Sequence, residues 1–70
     1  MMPGHLVQVI SRSTSGRSEK EIDVGICMGV MYYEGSETIQ MVQVLGKTGR
    51  IISYNLGYIY EDTVWEVRVV

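Results

Sequence analysis

The last thirty residues of the chain, 41–70, constrain its fold most strongly. Together with the residues just before them, they predict three strands, 38–45, 50–55 and 63–70, from apolar residues at alternate positions. The glycine-flanked segment 46–49 predicts a hairpin turn between the first two. The segment 55–62 lacks alternation and is too short for a stable helix, so we expect a single 3₁₀ turn there. This order of strands and turns is typical of the end of a very small β-barrel.

The residue types favour strands throughout the chain. There are ten Val, seven Ile and four Thr, whereas Ala is absent and Leu occurs three times. This depletes the best helix formers and enriches residues that suit a pleated surface. The 70 residues are enough for one domain, 1–70. A chain of this length is expected to reach a net stability of only about 3–5 kcal/mol. We predict a single all-β domain.

The N-terminal half predicts two further strands. Residues 5–11 read as the first strand, and residues 11–20 contain no apolar residue, which predicts a long solvated loop. Residues 22–32 alternate with a period of two, and we expect a bend or bulge at Gly25 and Gly29. A turn centred on Gly35 follows. The face of the second strand predicted to be buried consists of Ile22, Val24, Ile26, Met28, Val30 and Tyr32.

Cysteine content and hydropathy indicate the cellular compartment of the protein. Cys27 is the only cysteine, so an intrachain disulfide is impossible, and one His with one Cys cannot complete a zinc site. We therefore expect no metal and no cofactor. No window approaches the roughly 18 apolar residues of a membrane helix, and residues 1–5 lack the features of a signal peptide. These observations predict a soluble cytoplasmic protein with no membrane partner.

The element order and several motifs resemble the SH3-like small barrel. The segment 3–10, Pro3-Gly4 followed by an alternating aliphatic run, is similar to the opening of KOW-type and related SH3-like barrels. Segments 24–26 and 41–45 resemble their glycine-marked second strand and apolar third strand. The resemblance covers nearly the whole chain. It implies a five-stranded SH3-like barrel with a short 3₁₀ turn before the last strand, and a non-catalytic binding role.

The C-terminal end adds to this resemblance. Closing on residues 65–70 with almost no tail is similar to tiny single-domain SH3-like proteins encoded by tailed phages, marine ones especially. This implies a viral protein that acts in the host cytoplasm. The only tryptophan, Trp65, lies in the last predicted strand. Signalling SH3 domains carry theirs at the start of the third strand, so proline-rich peptides are not the expected ligand.

Three motifs invite a catalytic interpretation, and none supports one. Gly46-Lys47-Thr48 resembles the end of a P-loop, but Met41 stands where the first glycine is required and a strand follows. Cys27 could act as a nucleophile only beside a base, and His5, the sole histidine, has no third orienting group. Glu61-Asp62 are predicted to be solvated and could contribute to a negative rim before the last strand. We predict no enzyme activity.

The tyrosines are the strongest candidates for a binding surface. All five lie around two loops and the segment before the last strand, and in SH3-like barrels those elements flank the usual binding groove. Aromatic side chains there offer a large contact area at low entropic cost. We predict that Tyr33, Tyr58 and Tyr60 bind a protein partner, and that Tyr32 points inward. The open alternative is that the tyrosines cap a small core in a chain without Phe.

Two other functions remain open from the sequence. Nucleic-acid or ribosome binding would use Arg12, Arg17, Lys20, Lys47 and Arg50. The net charge of −2 and the pI near 5.2 do not favour it, since phosphate contacts usually require a basic surplus. A structural role in an oligomer would use the apolar C-terminal strand, 67–70, pairing edge to edge with a second copy.

Overall fold

The fold is a single antiparallel sheet of five strands. The computed structural model describes all 70 residues and contains no helix. The sheet order is β4-β3-β2-β1-β5, so β4 and β5 are its two edges and are not paired with each other. The all-β prediction with five strands is confirmed. The strands are β1 (Leu6–Ser13), β2 (Glu19–Tyr32), β3 (Ile39–Leu45), β4 (Ile51–Asn55) and β5 (Thr63–Val69).

The core is small and is built mainly from valines. Cross-strand pairing aligns Val9 with Val67 and Cys27 with Val44, and it brings Val42 opposite Tyr54. Only nine of 70 residues are buried, so each of them carries a large share of the apolar burial that opposes chain entropy. The buried cluster consists of Val7, Val9, Cys27, Val42, Val44, Tyr54 and Val67.

The predicted inward face of β2 is wrong for most of its length. Asp23 and Cys27 point into the core, whereas Ile22, Ile26 and Met28 are exposed. The strand irregularity between Cys27 and Gly29 is the predicted bulge at the second glycine, and it leaves Met28 unpaired. Past this bulge the alternation shifts, because an extra residue in one strand moves every later side chain to the opposite face. Beyond it, Val30 packs against the core. A second irregularity, between Met31 and Tyr32, interrupts the alternation again, and Tyr32 is exposed, so the inward prediction for Tyr32 is also wrong.

The predicted long loop after the first strand is also mostly strand. Ser11 pairs with Lys20 and Arg12 pairs with Glu19, which leaves only residues 14–18 as the connection. The polar side chains misled the prediction because this end of the hairpin covers little core. The backbone ladder and an ion pair between Arg12 and Glu19, at 3.9 Å, act there in place of apolar burial.

The predicted 3₁₀ turn before β5 is not formed. Tyr60 and Thr63 instead make an isolated β-bridge, and the N–H of each donates to the carbonyl of the other at 2.9 Å. Glu61 and Asp62 link them with φ of 47° and 62°. Positive φ at both central residues is incompatible with a 3₁₀ turn and is the geometry of a two-residue type I′ hairpin.

The other two predicted turns are confirmed. The N–H of Gly49 donates to the carbonyl of Gly46 at 3.1 Å, and Gly49 has φ of 76°. The N–H of Ser36 donates to the carbonyl of Tyr33 at 3.0 Å, with Gly35 at φ of 72°. The segment 46–49 is therefore a hairpin turn between β3 and β4 rather than a phosphate-binding loop followed by a helix.

Candidate functional site: an aromatic groove between the edge strands

A groove of about 320 Å³ lies between the end of β4 and the start of β5. We call it the aromatic groove. Three of its five lining side chains are aromatic, and the other two are an amide and a hydroxyl. Pockets of this kind, apolar with a few polar groups, are the usual form of ligand sites. The lining residues are Asn55, Tyr58, Tyr60, Thr63 and Trp65.

The two edge strands meet at this groove through side chains. The ring of Tyr54, in β4, contacts the ring of Trp65, in β5, edge to face, with centroids 5.5 Å apart and planes at 86°. This is a favoured aromatic geometry. Trp65 is 37% exposed, so one part of the indole packs on Tyr54 while the rest faces the groove. The rigid floor of the groove thus comes from strands, and its tyrosines come from the connection between them.

Behind Tyr54 lies a buried carboxylate whose oxygens all have donors. Asp23 is 3% exposed. Its Oδ1 accepts hydrogen bonds from the backbone N–H of Val24 and of Lys47, each at 2.9 Å, and its Oδ2 accepts one from the Tyr54 hydroxyl at 3.0 Å. A buried carboxylate is tolerated when it is hydrogen-bonded in this way.

These contacts shift two pKa values in opposite directions. Burial raises the pKa of Asp23, but the hydrogen bonds from Lys47, Tyr54 and Val24 and the charge of Lys47 outweigh it, so the net pKa lies below its ordinary value. Burial, followed by the hydrogen bond to Asp23 and its negative charge, raises the pKa of Tyr54 to about 12. Asp23 is therefore an ionised acceptor and Tyr54 a neutral donor at neutral pH.

Two glycines make room for this buried carboxylate. A Cβ on Gly46 would overlap the Asp23 carboxylate, and a Cβ on Gly25 would overlap the Leu45 carbonyl and lie 2.7 Å from the Gly46 Cα. Neither neighbour can move aside, because one is a fixed acceptor and the other is backbone. We call Asp23, Gly25, Gly46 and Tyr54 the Asp23 cluster. It joins β2 to the β3–β4 turn and fixes Tyr54 beneath the groove.

The turn at Glu61 and Asp62, which we call the acidic turn, adjoins the groove. It separates Tyr60 from Thr63, both of which line the groove. Two adjacent non-glycine residues with positive φ are unusual, and each costs on the order of 1–3 kcal/mol. The Tyr60–Thr63 bridge and a hydrogen bond from the Thr14 N–H to the Asp62 carbonyl, at 2.8 Å, hold the turn in this conformation.

The structure places two of the three predicted partner-binding tyrosines in the groove. Tyr58 and Tyr60 line it and are 64% and 63% exposed. Tyr33 is exposed but lies in the turn after β2 and does not line the groove. Sequence analysis missed Trp65 and Asn55, which become groove residues only because the two edge strands approach one another. The alternation of Trp65 with Val67 was the available signal.

The five basic residues of the nucleic-acid hypothesis do not share one environment. Arg12 forms an ion pair with Glu66, and Lys47 lies 3.6 Å from Glu21. The remaining three, Arg17, Lys20 and Arg50, form no ion pair. Because Arg12 and Lys47 already contact carboxylates of their own chain, phosphate binding would have to compete with those contacts.

The other candidate groups show no catalytic arrangement. Cys27 is fully buried, and its Sγ lies 3.7 Å from the Gly29 carbonyl oxygen. His5 is exposed, and its Nδ1 accepts a hydrogen bond from the Met2 N–H at 3.2 Å. No three His, Cys, Asp or Glu side chains are placed to hold one metal ion. The structure also has no helix with the length and apolar character to span a membrane.

No protein-family model, curated protein or solved structure matches this chain. The groove and the residues that build it are therefore the basis for assigning a function.

Proposed function

We propose that this chain is a non-catalytic binding module that docks a protein partner in the aromatic groove. The observation that carries the proposal is the convergence of Tyr58, Tyr60 and Trp65 on one concave surface. Exposed aromatics in a groove supply contact area with few rotatable bonds to immobilise, and Tyr and Trp dominate the energetics of many interfaces. Tyr33 belongs to the proposal as a peripheral contact outside the groove.

The fold that supports this function is, in our proposal, an SH3-like small barrel. Three features favour it: β1 pairs with both β2 and β5, the long β2 is bent by a bulge, and the Tyr54–Trp65 contact links the edge strands. In such a barrel the sheet curls so far that its edges approach. The groove then occupies the gap between the edges, which no backbone pairing fills.

The test compares capture of a partner by wild type and by the double variant Tyr58→Ala plus Tyr60→Ala. We expect the double variant to lose capture from the native cell and to keep the wild-type urea midpoint, because both side chains are largely exposed. The captured protein is then purified and its direct binding is measured, so that indirect association is excluded.

Ile59→Ala is the matched control. Ile59 lies between the two tyrosines and is 62% exposed, but it does not line the groove. We expect Ile59→Ala to capture the partner like wild type. Equal loss in the control, or full capture by a folded double variant, contradicts the proposal.

A second candidate, a structural subunit of an oligomer, is favoured by one observation on the outer face of the sheet. Neighbouring strands form an exposed band of large aliphatic side chains that runs from β4 to Val70, the residue after β5, which we call the aliphatic row. Its ends are open to a second copy of the chain, and an exposed apolar row beside an unpaired edge is a typical self-association surface. The aliphatic row consists of Val70, Leu6, Ile26, Leu45 and Ile51.

Light scattering over a wide concentration range tests this candidate. If the aliphatic row joins two copies, the mass rises with concentration, and Ile51→Ser returns it to that of the monomer. Ile51 is the position to substitute because it is 55% exposed and belongs to the edge strand β4. A strict monomer at the highest concentration excludes the oligomer and leaves the groove as the working surface.

A further inference from the structure

We propose that the aromatic groove selects an arginine side chain of its partner. This inference rests on the proposed function and adds the chemistry of the occupant. Three aromatic rings surround the groove, and a ring face attracts a cation through its quadrupole. The groove is large enough for a side chain to enter, at about 320 Å³, which is near the lower end of typical ligand pockets.

The charges around the groove complement a cation. Glu61 and Asp62 lie in the acidic turn between the lining residues Tyr60 and Thr63. Neither carboxylate makes an ion pair or a side-chain hydrogen bond within the chain, and the same is true of Glu34 and Glu37, which lie in the turn after β2. No basic residue lines the groove. Both carboxylates are exposed and free to attract a cation of the partner.

The backbone of the acidic turn supports the same conclusion. A type I′ turn strongly prefers Asn-Gly or Asp-Gly because both central residues need positive φ. This chain has glutamate and aspartate there, with φ of 47° and 62°. Strained residues of this kind cluster at ligand-binding sites. The acidic side chains serve the binding of a cation better than they serve the turn.

Guanidinium fits this site better than ammonium. It is planar, stacks on aromatic faces, and is more weakly hydrated, so it loses less on leaving water. Its five N–H donors can reach several acceptors at once. The groove is lined by the Asn55 amide, and the two carboxylates of the acidic turn follow the lining residue Tyr60 in the chain. An arginine lying along the Trp65 and tyrosine rings would use both the apolar groove and the charge of the adjoining acidic turn.

The test uses two capped peptides, Ac-Gly-Arg-Gly-NH₂ and the same peptide with citrulline, in which a neutral urea replaces the charged guanidinium. Citrulline keeps the length and planarity of arginine but is neutral. Trp65 is the only tryptophan, so its indole N–H gives a single NMR signal that reports directly on the groove. We expect the arginine peptide to bind in the millimolar range and at least about fivefold more tightly than the citrulline peptide.

Two variants separate the contributions. The variant Glu61→Gln plus Asp62→Asn keeps the size of both side chains, and we expect it to weaken arginine binding about threefold to tenfold while citrulline binding is unchanged. The variant Tyr58→Ala plus Tyr60→Ala should abolish the Trp65 shift with either peptide. Added salt should weaken arginine binding in wild type and have little effect in the charge-neutral variant.

Two results overturn the inference. Equal binding of the arginine and citrulline peptides, lost on removing the tyrosines, shows that the groove binds peptides without selecting the cation, so the proposed function stands alone. No Trp65 shift with either peptide up to about 20 mM excludes arginine recognition at this site. Partner capture by wild type then decides the proposed function separately.

Discussion

The Tyr54 side chain joins two regions that differ in whether their carboxylates are hydrogen-bonded within the chain. Its hydroxyl donates to Asp23, a buried carboxylate whose two oxygens receive three hydrogen bonds. Its ring contacts Trp65, beside an acidic turn whose two carboxylates have no partner in the chain. The Asp23 cluster has glycine where a Cβ cannot fit, whereas the acidic turn lacks glycine where positive φ favours it.

The difference indicates which region stabilises the fold and which is available for binding. Almost any substitution in a buried, closely packed and fully hydrogen-bonded cluster lowers the free energy of unfolding. A substitution in a strained turn with unpaired charges lowers it little and can raise it. Mutations in the two regions should therefore have opposite effects on the free energy of unfolding.

The largest effect is expected from Asp23→Ala. It leaves the Tyr54 hydroxyl and the N–H groups of Lys47 and Val24 without their acceptor, which should cost about 3–5 kcal/mol. That is comparable to the whole stability expected for a chain of this length, so the variant should be largely unfolded by circular dichroism at 25 °C. Asp62→Asn, in the acidic turn, should change the urea midpoint little. A folded Asp23→Ala variant with the wild-type midpoint would remove the basis of the comparison.

The next effect is a contrast between two glycines of β2. Gly25→Ala should lower the free energy of unfolding by about 3 kcal/mol, since its Cβ meets the Leu45 carbonyl, which is fixed backbone. Gly29→Ala should lower it far less, because the nearest atom to its Cβ is the flexible end of Gln43, at 2.9 Å. Urea unfolding of both variants measures the contrast. Equal losses would mean that backbone proximity at Gly25 is not what restricts this position.

A smaller effect is expected from pH. The lowered pKa of Asp23 contributes stability that is present above its unfolded value, about 3.9, and is lost as pH falls through the folded value. The raised pKa of Tyr54 contributes stability that is present below its unfolded value, about 10, and is lost as pH rises toward about 12. Urea midpoints across pH should fall at both ends.

The variant Tyr54→Phe isolates the contribution of Tyr54 to the fall of the urea midpoint at high pH. It removes the titrating hydroxyl, so the midpoint should fall less steeply above about pH 10 than in wild type. The variant starts lower at neutral pH because Asp23 loses one of its three donors. If the urea midpoint of this variant falls as steeply above about pH 10 as that of wild type, other groups are responsible for the loss of stability.

The smallest effect should have the opposite sign. The double variant Glu61→Asn plus Asp62→Gly gives the acidic turn the residues that a type I′ hairpin prefers, and it should stabilise the protein by about 1 kcal/mol. The same variant removes both free carboxylates, so arginine-peptide binding should weaken. A variant that is both less stable and unchanged in binding would reverse the assignment of the two regions.

The strand order of the C-terminal half could be predicted because alternation and glycine turns are local signals. The inward face of β2 could not, because the pattern of Ile22 and Ile26 indicated burial more strongly than Asp23 did. What decides the face is pairing: Asp23 is buried because Lys47 and Tyr54, 24 and 31 residues away, supply its donors. Interactions of that separation leave no periodic trace in one strand.

The residues of the candidate site also differ in whether a local sequence signal predicts them. Tyr58 and Tyr60 could be predicted because exposed tyrosines in a connection are visible in the sequence. Trp65 and Asn55 could not, since each belongs to a strand and joins the groove only where the edges approach. The segment 55–62 was expected to form a 3₁₀ turn because it lacks alternation and is too short for a stable helix. The type I′ hairpin was not expected, since Glu-Asp is a poor sequence for it.

Photo-crosslinking in the native cell tests the central claim, that the aromatic groove is the binding surface, most directly. The photoreactive residue p-benzoylphenylalanine replaces Tyr58 in one variant and Ile51, in the aliphatic row, in the other. We expect the Tyr58 position to crosslink to a distinct partner protein and the Ile51 position not to do so. Crosslinks to a partner from the Ile51 position alone would contradict it.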